Sequence, residues 1–176
     1  ILWGLFKKMV VAANVEKVVN YCYASYDDLT GSTVFLGVML FNLYLYADFS
    51  AYSDMAVGLA RMFNLRLPLN FFSPYKAKNI SQFWRRWHMT LSQFLRDYLY
   101  FSLGGNRRGR VLRYVNLIIT MVLGGLWHGA AWTFVAWGAL HGIYLCINHA
   151  WNNYGPTIPS RFARLANFIA FALTFL

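Results

Sequence analysis

From Tyr114 to Ser160 the chain carries no Lys, Arg, Asp or Glu. That single stretch constrains the fold more than any other feature. As one helix rising about 1.5 Å per residue, it would far exceed the roughly 30 Å hydrocarbon core of a bilayer. It must therefore fold back and make at least two passes. The reading predicts a break or close approach around Gly124-Gly125 and Gly129, and an end to the second pass at Pro156 and Pro159.

The rest of the sequence agrees with a membrane setting. Leu29 to Ala47 is uncharged and apolar enough for a span. A second, more polar helix is expected over about 50–63. Phe162 to Leu176 reads as the start of another span. Ile1 to Val15, carrying Lys7 and Lys8, reads as a re-entrant or interfacial helix. Charged residues make up 12% of the chain and hydrophobic ones 59%, whereas soluble domains carry roughly 25% charged residues. A water-soluble surface is hard to build from such a composition. Aromatic residues, at 19%, suit a lipid–water interface.

Sixteen Lys+Arg against six Asp+Glu give a formal charge of +10. Eleven of the sixteen cations fall between Arg61 and Arg113, interleaved with Pro68 and Pro74. Because the cations lie between apolar runs, the positive-inside rule explains them as a cytoplasmic face, and nucleic acid is not expected as a partner. Within this face, Phe83, Trp87, Leu91, Phe94, Leu95, Tyr98 and Leu99 have helical spacing. Ile80 to Leu103 is read as one or two amphipathic helices, followed by a turn at Gly104-Gly105-Asn106. Cys22 and Cys146 have no paired spacing and are read as small packing residues. The chain starts at Ile1 and ends in an apolar run, and 1–176 is read as an internal fragment of one membrane domain.

Ionisable groups at membrane depth are costly, so each is a candidate for function. His128, in Trp127-His128-Gly129, lies about 20 Å along a helix that begins near Tyr114. A neutral imidazole there has the chemistry to take a proton from a hydroxyl; the alternative is a histidine donating one hydrogen bond inside a bundle. Gly125 and Gly129 would leave room for a substrate beside it. His88 lies among Trp84, Arg85, Arg86 and Trp87, which equally suits an interfacial anchor. His141 and His149, two turns apart, lack the further ligands a metal needs. His141 is read as a packed polar residue and His149 as a residue at the end of the span. Asp48 and Asp54 are six apart, on different helix faces, and each is expected to pair with a nearby Arg. Ser50 and Ser53 have no evident base beside them.

Four runs in fixed order carry a resemblance: Tyr46-Ala47-Asp48-Phe49-Ser50-Ala51-Tyr52-Ser53-Asp54-Met55-Ala56-Val57-Gly58, then Phe83-Trp84-Arg85-Arg86-Trp87-His88-Met89-Thr90-Leu91-Ser92, then Leu103-Gly104-Gly105-Asn106-Arg107-Arg108-Gly109, and Gly124-Gly125-Leu126-Trp127-His128-Gly129-Ala130. With Gly4-Leu5-Phe6-Lys7-Lys8, they resemble the bacterial membrane-bound O-acyltransferase (MBOAT) family, most of all its alginate and exopolysaccharide O-acetyltransferases. Teichoic-acid D-alanyl transfer proteins share the two tryptophan–histidine motifs but lack the acidic position that Asp54 fills. Ala51 departs from the usual Gly, and residues 73–78 carry more Lys than the pattern.

The resemblance implies an all-α polytopic bundle, part of a ring of helices around a tunnel, with interfacial or re-entrant amphipathic helices. It implies His128 as the essential histidine and His88 as a supporting one. Trp127, Gly125, Gly129 and Asp48 would lie along the substrate path, with Asp48 ranked below both histidines. No metal and no tightly bound cofactor are expected. The donor would be acetyl-CoA or another acyl thioester, drawn by the basic 76–113 surface. The acceptor would be an extracytoplasmic polysaccharide or a periplasmic acyl-transfer partner protein, with the enzyme among the lipids of the bacterial inner membrane. Rival readings are D-alanyl, peptidoglycan, lipid or protein acyl transfer, or a transporter. A transporter commonly shows inverted repeats, and no repeat is seen here.

Overall fold

The computed structural model describes residues 1–155 and is helical throughout, with no strand among the described residues. The expected chain ends at Pro156, Pro159 and Phe162 to Leu176 lie outside them. Two units divide the chain, residues 1–70 and residues from 71 onward.

In the first unit, α1 (Leu2–Phe6), a π segment (Lys7–Ala12) and α2 (Ala13–Ala24) follow one another without a break. The expected short N-terminal helix thus runs on to Ala24. It packs antiparallel on α3 (Gly31–Met62). The pairing is fixed at both ends: Gly4 faces Ala51 and Met55, while Cys22 lies under Gly37. At Gly4 a Cβ would come 2.6 Å from Met55 Cγ, so the missing side chain lets the helices close. Ala51, the departure from the family signature, is fully buried at this contact.

The separate helix expected over 50–63 does not exist; α3 runs 32 residues through it. The physical reason is charge pairing. Lys7 Nζ lies 2.8 Å from Asp54 Oδ2 and 2.8 Å from Ser50 Oγ, and Lys8 pairs with Asp48. With both carboxylates met, and no Pro or Gly between Val38 and Val57, nothing interrupts the helix. Sequence reasoning expected arginines as partners; the partners are lysines.

In the second unit, Asn79 caps α4 (Ile80–Trp84), its Oδ1 accepting from the Gln82 N–H at 2.9 Å. The chain bends at residues 85–88 and resumes as α5 (Met89–Phe94), continued by a π segment (Leu95–Tyr100). The expected amphipathic stretch is therefore two short helices, the second of them widened. The turn beyond it places Gly104 at φ +104° and Gly105 at φ +56°, a conformation open to Gly at no steric cost. Asn116 of α6 (Arg110–His128) anchors that turn. Its buried Nδ2 donates to the Leu103 and Gly105 carbonyls, both at 3.1 Å. Removing it in Asn116→Ala strands two acceptors and is expected to destabilise the fold by about 1–3 kcal/mol. Thermal unfolding of the full-length protein in detergent checks this, and an unchanged midpoint would contradict the anchoring role.

α6 and α7 (Trp132–Tyr154) form a tight hairpin. Three glycines permit it. A Cβ on Gly138 would run into the Met121 carbonyl and lie 3.0 Å from Val122 Cα; one on Gly142 would lie 3.1 Å from Ile118 Cα; one on Gly125 would strike the Phe134 carbonyl. Small residues at crossing points are how membrane helices achieve close packing. Ile80, Met121 and Leu145 form the buried apolar centre, with Phe83, Trp84 and Leu117 packed against it. Ser81 Oγ donates to Asn148 Oδ1 at 2.7 Å, tying α4 to α7. α3 and α6 are each long and apolar enough to cross a membrane.

Candidate functional site

The long uncharged stretch turns back where Gly129 ends α6, as the last residue of that helix, His128, reaches its terminus. The helix starts at Arg110, not near Tyr114, because Arg110 and Arg113 belong to its first turn. His128 consequently stands at the far end of a 19-residue helix, about 28 Å from its start, rather than partway along it.

The His128 imidazole is exposed within the described residues but is framed by rings. Trp127 meets it edge-on at 5.1 Å and Trp137 edge-on at 5.4 Å, while Phe134 stacks on it at 6.4 Å. Aromatic walls around an accessible imidazole fix its plane and leave its nitrogens to act. The carbonyl end of a helix carries partial negative charge, which favours an imidazolium at that position after a proton is taken.

Across Trp127 lies His88, with ring centroids 6.4 Å apart. His88 occupies the left-handed region, φ 41° and ψ 56°, at the start of α5. Non-glycine residues seldom sit there, and such strain gathers at functional positions. Its neighbours hold it: Trp87 stacks on Phe83 at 5.5 Å and meets Phe71 edge-on at 5.2 Å, and Ser92 Oγ donates to the Trp87 carbonyl at 3.3 Å. Burial, and then the nearby His128, push the His88 pKa down to about 4. At neutral pH His88 is therefore an uncharged imidazole, suited to orienting a group by hydrogen bonding rather than by charge.

The structure thus brings His88, Trp127 and His128 together. A Cβ at Gly125 would meet the Phe134 carbonyl and Gly138, and one at Gly129 the Phe134 ring, so both glycines allow close packing against Phe134. Asp48 belongs to the first unit, where Lys8 takes its carboxylate.

Sequence reasoning passed over Trp84, Phe134 and Trp137. Trp137 bridges His128 to His141, 4.7 Å further on, and Trp84 meets both Trp137 and His141 at 5.8 and 5.2 Å. The signal was available in part: Phe134, Trp137 and His141 recur at helical spacing on α7. His141 is a packed polar residue, as expected, and Trp84 Nε1 and His141 Nδ1 are buried with no hydrogen-bond partner among the described residues. His149 is elsewhere, its Nδ1 3.0 Å from Arg113 Nη2.

The model of the membrane-bound O-acyltransferase family matches residues 1–174. Over 147 residues the chain is 51% identical to the probable alginate O-acetylase of Azotobacter vinelandii, covering 84% of this chain and 29% of that protein. It is 46% identical over 178 residues to the peptidoglycan O-acetyltransferase of Helicobacter pylori, covering 98% of this chain and 34% of that protein. The teichoic acid D-alanyltransferase of Streptococcus thermophilus is 37% identical over 131 residues, 70% of this chain and 32% of that protein. The chain thus spans about a third of the length of these curated relatives.

Proposed function

Because the chain belongs to the membrane-bound O-acyltransferase family, we propose that it forms the histidine-bearing part of a multi-pass enzyme of the bacterial inner membrane that transfers an acetyl group to hydroxyls of an extracytoplasmic polysaccharide. The observation that supports this reading best is the accessible His128 imidazole, ring-framed at the end of an uncharged helix, with His88 beside it across Trp127. In the proposed step the acceptor O–H gives its proton to a His128 nitrogen while its oxygen attacks the carbonyl carbon of an acyl thioester. The new C–O ester bond forms, the C–S bond breaks, and the departing thiolate takes the proton from the His128 imidazolium to leave as the thiol. His88, neutral, orients donor or acceptor. The remaining two thirds of the protein complete the helical ring and the path to His128.

Alginate or a related exopolysaccharide is the preferred acceptor, since the chain is 51% and 49% identical to two probable alginate O-acetylases. Peptidoglycan is the second reading, carried by the 46% identity to the Helicobacter pylori protein over nearly the whole chain. Acyl groups released from cell polymers by mild base, compared between cells with and without the gene, decide between them. Acetate lost from the exopolysaccharide fraction supports the first reading and acetate lost from peptidoglycan the second. Unchanged release from every polymer overturns both.

A further inference from the structure

Beyond Asn70, Asp97 is the one acidic residue in the sequence, and its carboxylate is taken by Arg96, 2.8 Å away. The other cations of this part of the chain therefore have no further carboxylate within it to pair with. Most are exposed, but Arg113 is not. It is partly buried, and its partners among the described residues are neutral groups. Its Nη2 lies 3.0 Å from His149 Nδ1, and its guanidinium carbon lies 5.8 Å from the Tyr114 ring centre. Arg85, at the end of α4, is the other cation within electrostatic reach of His149. Arg110 stands one turn before Arg113, its guanidinium over the Tyr154 ring.

Two physical facts make this arrangement incomplete as it stands. A partly buried cation is ordinarily paired, and among the described residues this one has only neutral partners. Arg110 and Arg113 also lie in the first turn of α6, where no acidic residue is present and where the helix dipole disfavours positive charge. An anion would answer both. A guanidinium is a planar fork that grips phosphate oxygens two at a time. We propose that Arg113, positioned by His149 and the Tyr114 ring and assisted by Arg85, binds a phosphate group, carried either by a membrane-lipid headgroup or by a soluble ligand. The site stands whether or not His128 transfers an acyl group, since it rests on other residues.

The test uses full-length protein and two probes: phosphatidylglycerol retained in native mass spectrometry, and coenzyme A titrated by calorimetry. Arg113→Gln is expected to weaken one of them about tenfold, and the effect should shrink as salt rises. Loss confined to phosphatidylglycerol identifies the lipid source, and loss confined to coenzyme A the soluble one. Lys17→Gln, at an exposed cation outside the basic 76–113 surface, should leave both unchanged. If Arg113→Gln fails to fold, Arg113→Lys and Arg85→Gln are read instead, each expected to weaken binding several-fold. No binding of either probe by the unaltered protein overturns the proposal, as do folded Arg113 and Arg85 variants that bind both normally, or an equal loss in Lys17→Gln.

Discussion

His128→Ala in the full-length protein is expected to lower acyl transfer about 10²–10⁴-fold, the usual contribution of a positioned general base, while the protein still inserts and folds. The two halves of this expectation rest on different observations. The catalytic half rests on an imidazole whose plane is set by Trp127, Trp137 and Phe134. The folding half rests on its exposure: His128 is outside the apolar centre of Ile80, Met121 and Leu145, and exposed substitutions generally change stability by less than about 0.5 kcal/mol. Acylation of the polymer and the amount of folded protein in membranes are measured together. Near-normal acylation removes His128 from the chemistry. His88→Ala behaves differently, because His88 is more buried and sits in a strained backbone. A folding loss with no specific defect in turnover would make His88 a structural anchor only.

Gly138→Leu is expected to destroy the α6–α7 hairpin. Even the first carbon of a side chain would run into the Met121 carbonyl and lie 3.0 Å from Val122 Cα. Those are backbone atoms of the facing helix, which cannot swing aside as a side-chain end can. Overpacking ordinarily costs 1–3 kcal/mol; against backbone the upper end, about 3 kcal/mol, is expected, roughly a hundredfold in the folding equilibrium. Separating the helices would also displace Trp137, and with it one wall of His128. Protease resistance and thermal unfolding in detergent give the readout. Gly31→Leu is the control, since nothing lies within 4 Å of the position a Cβ would take there. Equal behaviour of the two variants would mean that close packing at Gly138 is not what holds the hairpin.

Much of this was legible from one-dimensional pattern because the governing effects are local. An uncharged stretch too long for one pass has to turn, and Gly129 is where it does. Gly104 and Gly105 make the turn expected of them because glycine adopts positive φ at no steric cost. The failures have a common cause. Asp48 and Asp54 looked like the end of a span until Lys7 and Lys8 were seen to meet them from another helix. Nor does a sequence show what faces a glycine, as Phe134 faces Gly125 and Gly129.

Composition and charge spacing by themselves pointed to a helical chain among apolar surroundings and to His128 as a candidate, while His88 joined it only through the resemblance of its motif. These follow from hydrogen-bond satisfaction and the cost of charge in an apolar medium, which act on each segment separately. Only the tertiary structure decided which residues stand together. It brought His88 and His128 both to the Trp127 ring, set Phe134 against Gly125 and Gly129, and placed His149 beside Arg113. Those choices depend on side chains meeting from helices far apart in sequence, and packing of that kind is a property of the assembled units rather than of any stretch within them.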